Sequence, residues 1–267
     1  MTVHITDHRA GFPPGLTRIT NHENDEDGMP ISLGVLKLSA GECHQSTPGV
    51  ETAYLLMNGT VRGTVAGEEF QFNRASLFDE APSCLHVSAG TPVRIQCDSD
   101  VEFTVYSCDN KAAFEACIYH PGDVEDEPRG KGQVEDRCLR YVRTIFDRRN
   151  APEAAQLVLG EVITFQGGWS SYPPHHHPQP EIYHYRFTEP QGYGHGELGE
   201  TVLKVRHGDT VKIMELNDHA QCAAPGYGMY YSWVIRHLPD LPYTVPEFTD
   251  EHSWIMQPGS DFWRPKN

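Results

Sequence analysis

The sequence predicts an all-β protein of two sandwich or barrel domains, and three observations carry that reading. Between residues 31 and 106 it repeats short runs rich in Val, Leu, Phe and Thr, at 31–38, 52–57, 61–65, 69–72, 93–96 and 102–106, each broken by Gly, Asn or Pro. The same texture returns at 138–146, 157–165, 182–187, 201–205, 210–214 and 229–235. Between the two sets lies HPGDVEDEPRGKGQVED, at 120–136, dense in charge and turn formers and nearly free of apolar side chains, which reads as a linker. The expected domains are therefore 1–126 and 127–267, each large enough to bury its own core.

The 24 glycines and 20 prolines are spread along the chain and cut it into strand-length pieces. Asn58-Gly59 reads as a hairpin turn. Residues 147–155, with Pro152 and several alanines, read as a short helix or helical turn. GHGELG at 194–199 matches a dinucleotide-binding fingerprint, but no helical pattern follows it, so the match carries no weight.

A formal net charge of −16 repels phosphate backbones and anionic membranes, which argues against nucleic acid or a membrane as partner. An anionic substrate would need a local positive field from a metal ion or a few arginines. No run of 18 apolar residues occurs and the start MTVHITDHRAGF has no leader-like character, so the expected location is the cytoplasm. The seven cysteines are odd in number and form no CxxC pair, which fits free thiols.

The chemistry concentrates in GGWSSYPPHHHPQPEIYHYRF, at 167–187. In an extended segment alternate side chains share a face, so His175 and His177 can point to one centre while His176 points away. Glu181 follows after Pro178 and Pro180, which free the chain from a regular strand and let the carboxylate return toward the imidazoles. GDTVKIMELNDH, at 208–219, offers a turn, a short strand and a terminal His219 as fourth ligand. Three imidazoles and a carboxylate suit one divalent ion, Zn first and Mn, Fe, Co or Ni after it, with coordination positions open to substrate. His176 and His184 are set outside the ligand set.

These residues resemble the cupin superfamily, which spaces HxH and Glu as His175 to Glu181 are spaced here, and Gly and the last His as Gly208 and His219 are. WSSYPPHHH at 169–177, EIYHYRF at 181–187, PQGY at 190–193 and APGYGMYY at 224–231 resemble, more narrowly, the 5-deoxy-glucuronate isomerase family of inositol catabolism. EPRGKG at 127–132 and HSWI at 252–255 agree. The resemblance covers nearly the whole chain and implies a bicupin fold of two jelly rolls, a divalent metal, and interconversion of an aldehyde sugar acid with its keto isomer. The 4-deoxy-hexosulose-uronate isomerases of pectin breakdown are similar. The sequence departs from the family at Met214, Glu215 and Leu216, at Asn217 to Ala220 around His219, and in the shortened link Pro178-Gln179-Pro180. In the amino-terminal half His44, Glu51 and His86 match ligand positions without an HxH pair, so that half is expected to lack a metal and to serve packing and homo-oligomer contacts.

Moving a carbonyl from C1 to C2 passes through an enediolate whose charge a cation stabilises while a base shuttles the proton. Tyr172, Tyr183, Glu181 if it is not tightly ligated, and any water on the metal are the candidate bases. Arg186 is a candidate for the substrate carboxylate, provided that a bulge or strand end turns it to the face of Glu181. Tyr230, Tyr231 and Trp254 are candidate wall residues. The alternatives are a cupin isomerase of another sugar, a non-haem iron cupin oxygenase, and a sugar-acid-binding bicupin without turnover.

Overall fold

The computed structural model describes residues 3–24, 26, 28–214 and 216–266. Antiparallel strands dominate it, in three sheets of nine, seven and five strands. The all-β expectation holds. The helical segments are one turn each, Pro121–Asp123, Asp250–Ser253 and Trp254–Met256. Residues 147–155 form turns and bends and no helix, and the expected helical piece is reduced to one turn: Asp147 accepts from the backbone of Asn150 and Ala151, and the chain then leaves for the strand Leu157–Thr164.

The nine-stranded sheet closes on itself because one strand, Glu51–Val65, serves both of its layers. Its first part pairs with Cys84–Val87 and Val101–Cys108, and its second with Glu68–Arg74 and Val93–Cys97. Asn58-Gly59 is therefore no hairpin turn. It lies inside this strand, just past a register shift between Leu56 and Asn58. Gly59 has φ +105°, and a Cβ there would stand 2.5 Å from the Asp100 carbonyl oxygen, so only glycine lets the strand bend across at that point.

The expected linker 120–136 is not all linker: from its strand Glu127–Arg129 onward the chain builds a second barrel from the other two sheets. The seven-stranded sheet runs His4–Ile5, Thr210–Ile213, Glu181–Phe187, Met229–Arg236, Leu157–Thr164, Arg140–Phe146, Glu127–Arg129. The five-stranded sheet runs Thr201–Arg206, Tyr193–Leu198, His219–Ala223, Trp169–His176, Glu247–Phe248. GHGELG thus falls largely in a strand. The strand His4–Ile5 sits on this second barrel, and Asp209 anchors it there by bonds to His4 Nε2 (2.8 Å) and Arg9 (2.6 and 2.7 Å).

The period-two pattern of the seven-stranded sheet decides what each face meets. Leu157, Leu159, Ile163, Ile182, Tyr230 and Val234 turn toward the first barrel and pack with Leu33, Ala53, Leu55 and Tyr106 in a shared core. Val142, Val162, Tyr183, Tyr185, Tyr231 and Ile213 turn into the second barrel. Buried polar ties cross the shared core: Arg74 donates to both oxygens of Glu161 (2.7 and 2.8 Å), and Tyr230 donates to the same carboxylate (2.7 Å). No described helix is long and apolar enough to cross a membrane. The seven cysteines are free.

Candidate metal centre

His175 is the last residue but one of the strand Trp169–His176, directly across the ladder from His219, which opens the strand His219–Ala223. His177 follows immediately. Pro178-Gln179-Pro180 then carries the chain across the barrel from the five-stranded sheet to the seven-stranded one, where Glu181 starts the strand Glu181–Phe187. The three histidines therefore approach from one wall and the carboxylate from the other. A short proline-bounded crossing achieves this because neither proline can extend a ladder.

The ligand atoms of His177, Glu181 and His219 lie within 4.8 Å of one another, and all three side chains are buried. His177 Nε2 is 3.1 Å from Glu181 Oε2, and His219 Nε2 is 3.5 Å from the same oxygen. His175 stands beside this group, its ring centroid 4.3 Å from that of His219 and 6.4 Å from that of His177. Each imidazole directs Nδ1 to a backbone carbonyl: His175 to Ser171 (3.2 Å), His177 to Gln179 (3.0 Å) and His219 to Asn217 (3.0 Å). A carbonyl only accepts, so each Nδ1 carries the proton and each Nε2 presents a lone pair.

That arrangement fits a divalent cation. Burial works to raise the Glu181 carboxyl, and only an N–H or a positive charge beside it can hold it down to about 2; with both Nδ1 protons spent on carbonyls, a cation is what keeps it ionised. Burial and the neighbouring His219 press His175 down to about 3, so it stays neutral. An anionic oxygen thus faces nitrogens that spend their protons elsewhere, and the buried His219 Nε2 has no hydrogen-bond partner. A bound ion satisfies these lone pairs together, and the oxygen and nitrogen donor set suits Zn or a neighbouring first-row metal.

His175, His177 and Glu181 form part of the wall of a cavity of about 370 Å³. Tyr183 and Tyr231 also line it, their rings 4.8 Å apart. Tyr183 faces His219 at 5.9 Å, and burial, with Glu181 nearby, pushes its hydroxyl well above the ordinary value, so it keeps its proton. Tyr243 and Phe248 close over from residues 241–248, Tyr243 at 5.0 Å from the His177 ring and Phe248 at 5.9 Å from that of His175.

Other candidates fall elsewhere. Arg186 lies on the opposite face of its strand. It donates to Glu102 (2.6 Å) of the first barrel and contacts His184, because the strand stays regular and supplies no bulge to turn it. Tyr172 packs edge-on against Trp169 at 5.3 Å, outside the cavity lining. Tyr230 is committed to Glu161 in the shared core, and Trp254 is 47% exposed and away from the cavity. His176 faces outward to Asp218 (2.7 Å), and His184 is bonded to Thr210 (2.8 Å). In the altered loop Met214 packs against the shared core and Leu216 is exposed, while Glu215 lies outside the described residues.

Four cavity arginines, Arg129, Arg140, Arg148 and Arg149, escaped the sequence reading, and Arg149 is paired with Asp147. Arg140, Val142 and Thr144 share the inward face of Arg140–Phe146, a parity legible once that strand is oriented, and Arg129 sits inside EPRGKG. Tyr243 and Phe248 belong to an irregular, proline-rich segment with no periodic signal.

The double β-barrel is a cupin-type fold, and one barrel holds a buried histidine–carboxylate cluster. The chain belongs to the KduI/IolB family, whose model matches residues 5–255. A 5-deoxy-glucuronate isomerase of Geobacillus kaustophilus is 27% identical over 90% of this chain and 95% of its own length. The structure of an IolB-like protein of Salmonella typhimurium LT2 superposes with TM-score 0.81 at 23% identity, over 92% of this chain and 97% of that one. Oxalate decarboxylase of Bacillus subtilis, described with Mn(II) centres, shares the fold at TM-score 0.61 and 12% identity, over 89% of this chain and 76% of its own.

Proposed function

We propose that the protein is an aldose–ketose isomerase that converts 5-deoxy-glucuronate to 5-dehydro-2-deoxy-gluconate, with one divalent ion, Zn first among the candidates, held by His175, His177, Glu181 and His219. The observation that carries the reading is the ionised Glu181 facing imidazole lone pairs at the wall of a cavity that also holds arginines. The names of the relatives in the same family support the substrate. The bound ion would stabilise negative charge on the substrate oxygens as the enediolate forms.

In the reaction the C2 proton leaves, the aldehyde oxygen becomes the enediol hydroxyl, and C1 then takes a proton as the C2 hydroxyl gives up its own. Tyr172 lies outside the cavity lining and Glu181 is committed to the cluster, and Tyr183, which keeps its proton, is assigned as the acid that donates to the substrate oxygen as the enediol forms. The tyrosine floor and the segment 241–248 exclude water from the enediolate. Under this reading residues 1–126 and 127–267 form the two cupin units, apart from the strand His4–Ile5, which joins the second; the second unit carries the metal, and the enzyme works in the cytoplasm as a homo-oligomer.

Stripping the metal should abolish turnover and Zn, or failing that Mn, Fe, Co or Ni, should restore it. In deuterium oxide the ketose should carry deuterium at C1, read by NMR. Absence of ketose with every ion would reject the reading, and consumption of dioxygen instead would favour an iron oxygenase.

A further inference from the structure

The buried arginines of this chain are Arg74, Arg140, Arg143 and Arg186. Arg74 is paired with Glu161, Arg143 with Asp126, and Arg186 with Glu102. Arg140 forms no ion pair with any described residue. It is 8% exposed, its Nη1 donates to the Cys138 carbonyl (3.0 Å), and its Nε is buried without a partner. Leaving a guanidinium out of water with no counter-charge is strongly unfavourable, so the position makes sense only if an anion arrives from outside the chain.

The neighbours sharpen the point. Arg129 lies directly across the ladder from Arg140, and both line the cavity that holds His177 and Glu181. Like charges facing each other across two strands repel, and Glu127 is bonded to Arg129 at 2.8 Å and acts on Arg140 only through space. Burial, with Arg129 adding to it, lowers the pKa of Arg140, the mark of a cation lacking a partner. This local positive charge, to which Arg148 and Arg149 on the same cavity wall add, sits in a chain of net charge −16.

We infer that Arg140, assisted by Arg129, binds the substrate carboxylate and so places the aldehyde end of the open-chain sugar acid at the His177, Glu181, His219 cluster. The inference rests on the isomerase reading for its substrate, and it makes Arg140 the residue that selects acids over neutral sugars. A guanidinium suits the task because its planar fork matches a carboxylate with two parallel hydrogen bonds.

The test uses the metal-loaded protein and the variants Arg140→Gln and Arg129→Gln, with 5-deoxy-glucuronate and its neutral counterpart, in which a CH2OH replaces the carboxylate. Arg140→Gln should lower kcat/KM for the acid by about 100-fold, the scale of removing one member of a buried charge pair, while the neutral sugar changes little and metal content stays the same. Arg129→Gln should act in the same direction more weakly. Calorimetry with the unreactive acid reduced at C1 supplies a readout independent of turnover: it should bind the wild type and lose affinity for Arg140→Gln. Binding of that acid through Arg140 without ketose formation would sink the isomerase reading and leave this one standing. Turnover with an unchanged preference for the acid in Arg140→Gln would overturn this inference alone, as would an equal loss for both sugars. Thermal melts serve as the folding control: Arg140→Met, which removes the unpaired charge, should melt no lower than the wild type, whereas a structural arginine would show a lower Tm and an unchanged acid preference.

Discussion

Two buried carboxylates, Glu51 in the first barrel and Glu181 in the second, each touch an imidazole, His86 at 2.8 Å and His177 at 3.1 Å. They differ in where the protons are. Glu51 is saturated: His86 Nε2, Asn110 Nδ2 and the backbone amides of Gln156 and Leu157 all donate to it. The last two amides belong to the second half of the chain, so Glu51 works as a joint between barrels. His86 lies flat on Phe146, 4.2 Å away, with nothing bonded to Nδ1, and His44 sits apart on the strand Cys43–Ser46. Around Glu181 the imidazoles instead spend their protons on carbonyls and leave lone pairs facing the oxygen. The same residue types make a structural joint when donors surround the acid and a cation site when acceptors do.

The largest expected effect separates the two. His219→Ala should remove the bound ion, by elemental analysis, and cut turnover by more than about 100-fold, the upper end of what losing a supporting partner of a ligand costs. His86→Ala should leave ion content and KM untouched. Retention of the metal in His219→Ala would break the comparison.

Glu51→Ala should show the reverse pattern, full metal content with a stability loss of about 3 kcal/mol or more, because each buried donor left unpaired costs about 1–3 kcal/mol. Urea titration measures it. A third effect, smaller and set by pH, follows from the same joint. Burial works to raise the Glu51 carboxyl, yet the bonds from His86, Asn110 and Gln156 hold it below its ordinary 4.5. A lowered folded-state pKa means that the contribution is fully present above about pH 4.5 and fades as the pH falls through the depressed value. Melting curves of the wild type and Glu51→Gln should converge on acidification below that point, and parallel curves would show that Glu51 contributes nothing through its charge.

Much of the fold was legible in the sequence, because barrel strands alternate and glycine, proline and asparagine mark their ends. The exceptions have physical causes. Asn58-Gly59 has turn chemistry, but the strands on either side of it find partners in different layers and the chain runs straight through. Residues 147–155 have alanines without an apolar stripe, and a helix so short gains too little from packing to form. At the site, His175 and His177 flank a residue that points outward, as strand alternation requires. What stayed hidden was the saturation of Glu51, since its donors at 156 and 157 lie more than a hundred residues away in the chain. The isolation of Arg140 was equally hidden, since the absence of a carboxylate is a property of the folded neighbourhood.

Arg186 shows how far parity alone carries. It stands five residues after Glu181, an odd step, and along a regular strand an odd step leads to the other face. The pairing of Glu181–Phe187 with Met229–Arg236 runs in unbroken register, so the guanidinium reaches Glu102 and not the cavity. Arg186→Gln should therefore change KM for the sugar acid by less than about twofold, while costing up to about 3–5 kcal/mol of stability by stranding a largely buried partner. Set beside Arg140→Gln, this variant is the finest discriminator available: both remove a buried arginine from the same sheet, but only the one on the inward face should alter which sugars the protein accepts. A KM shift in Arg186→Gln as large as that in Arg140→Gln, at equal metal content, would mean that carboxylate recognition reaches through the sheet and is not confined to one side of it.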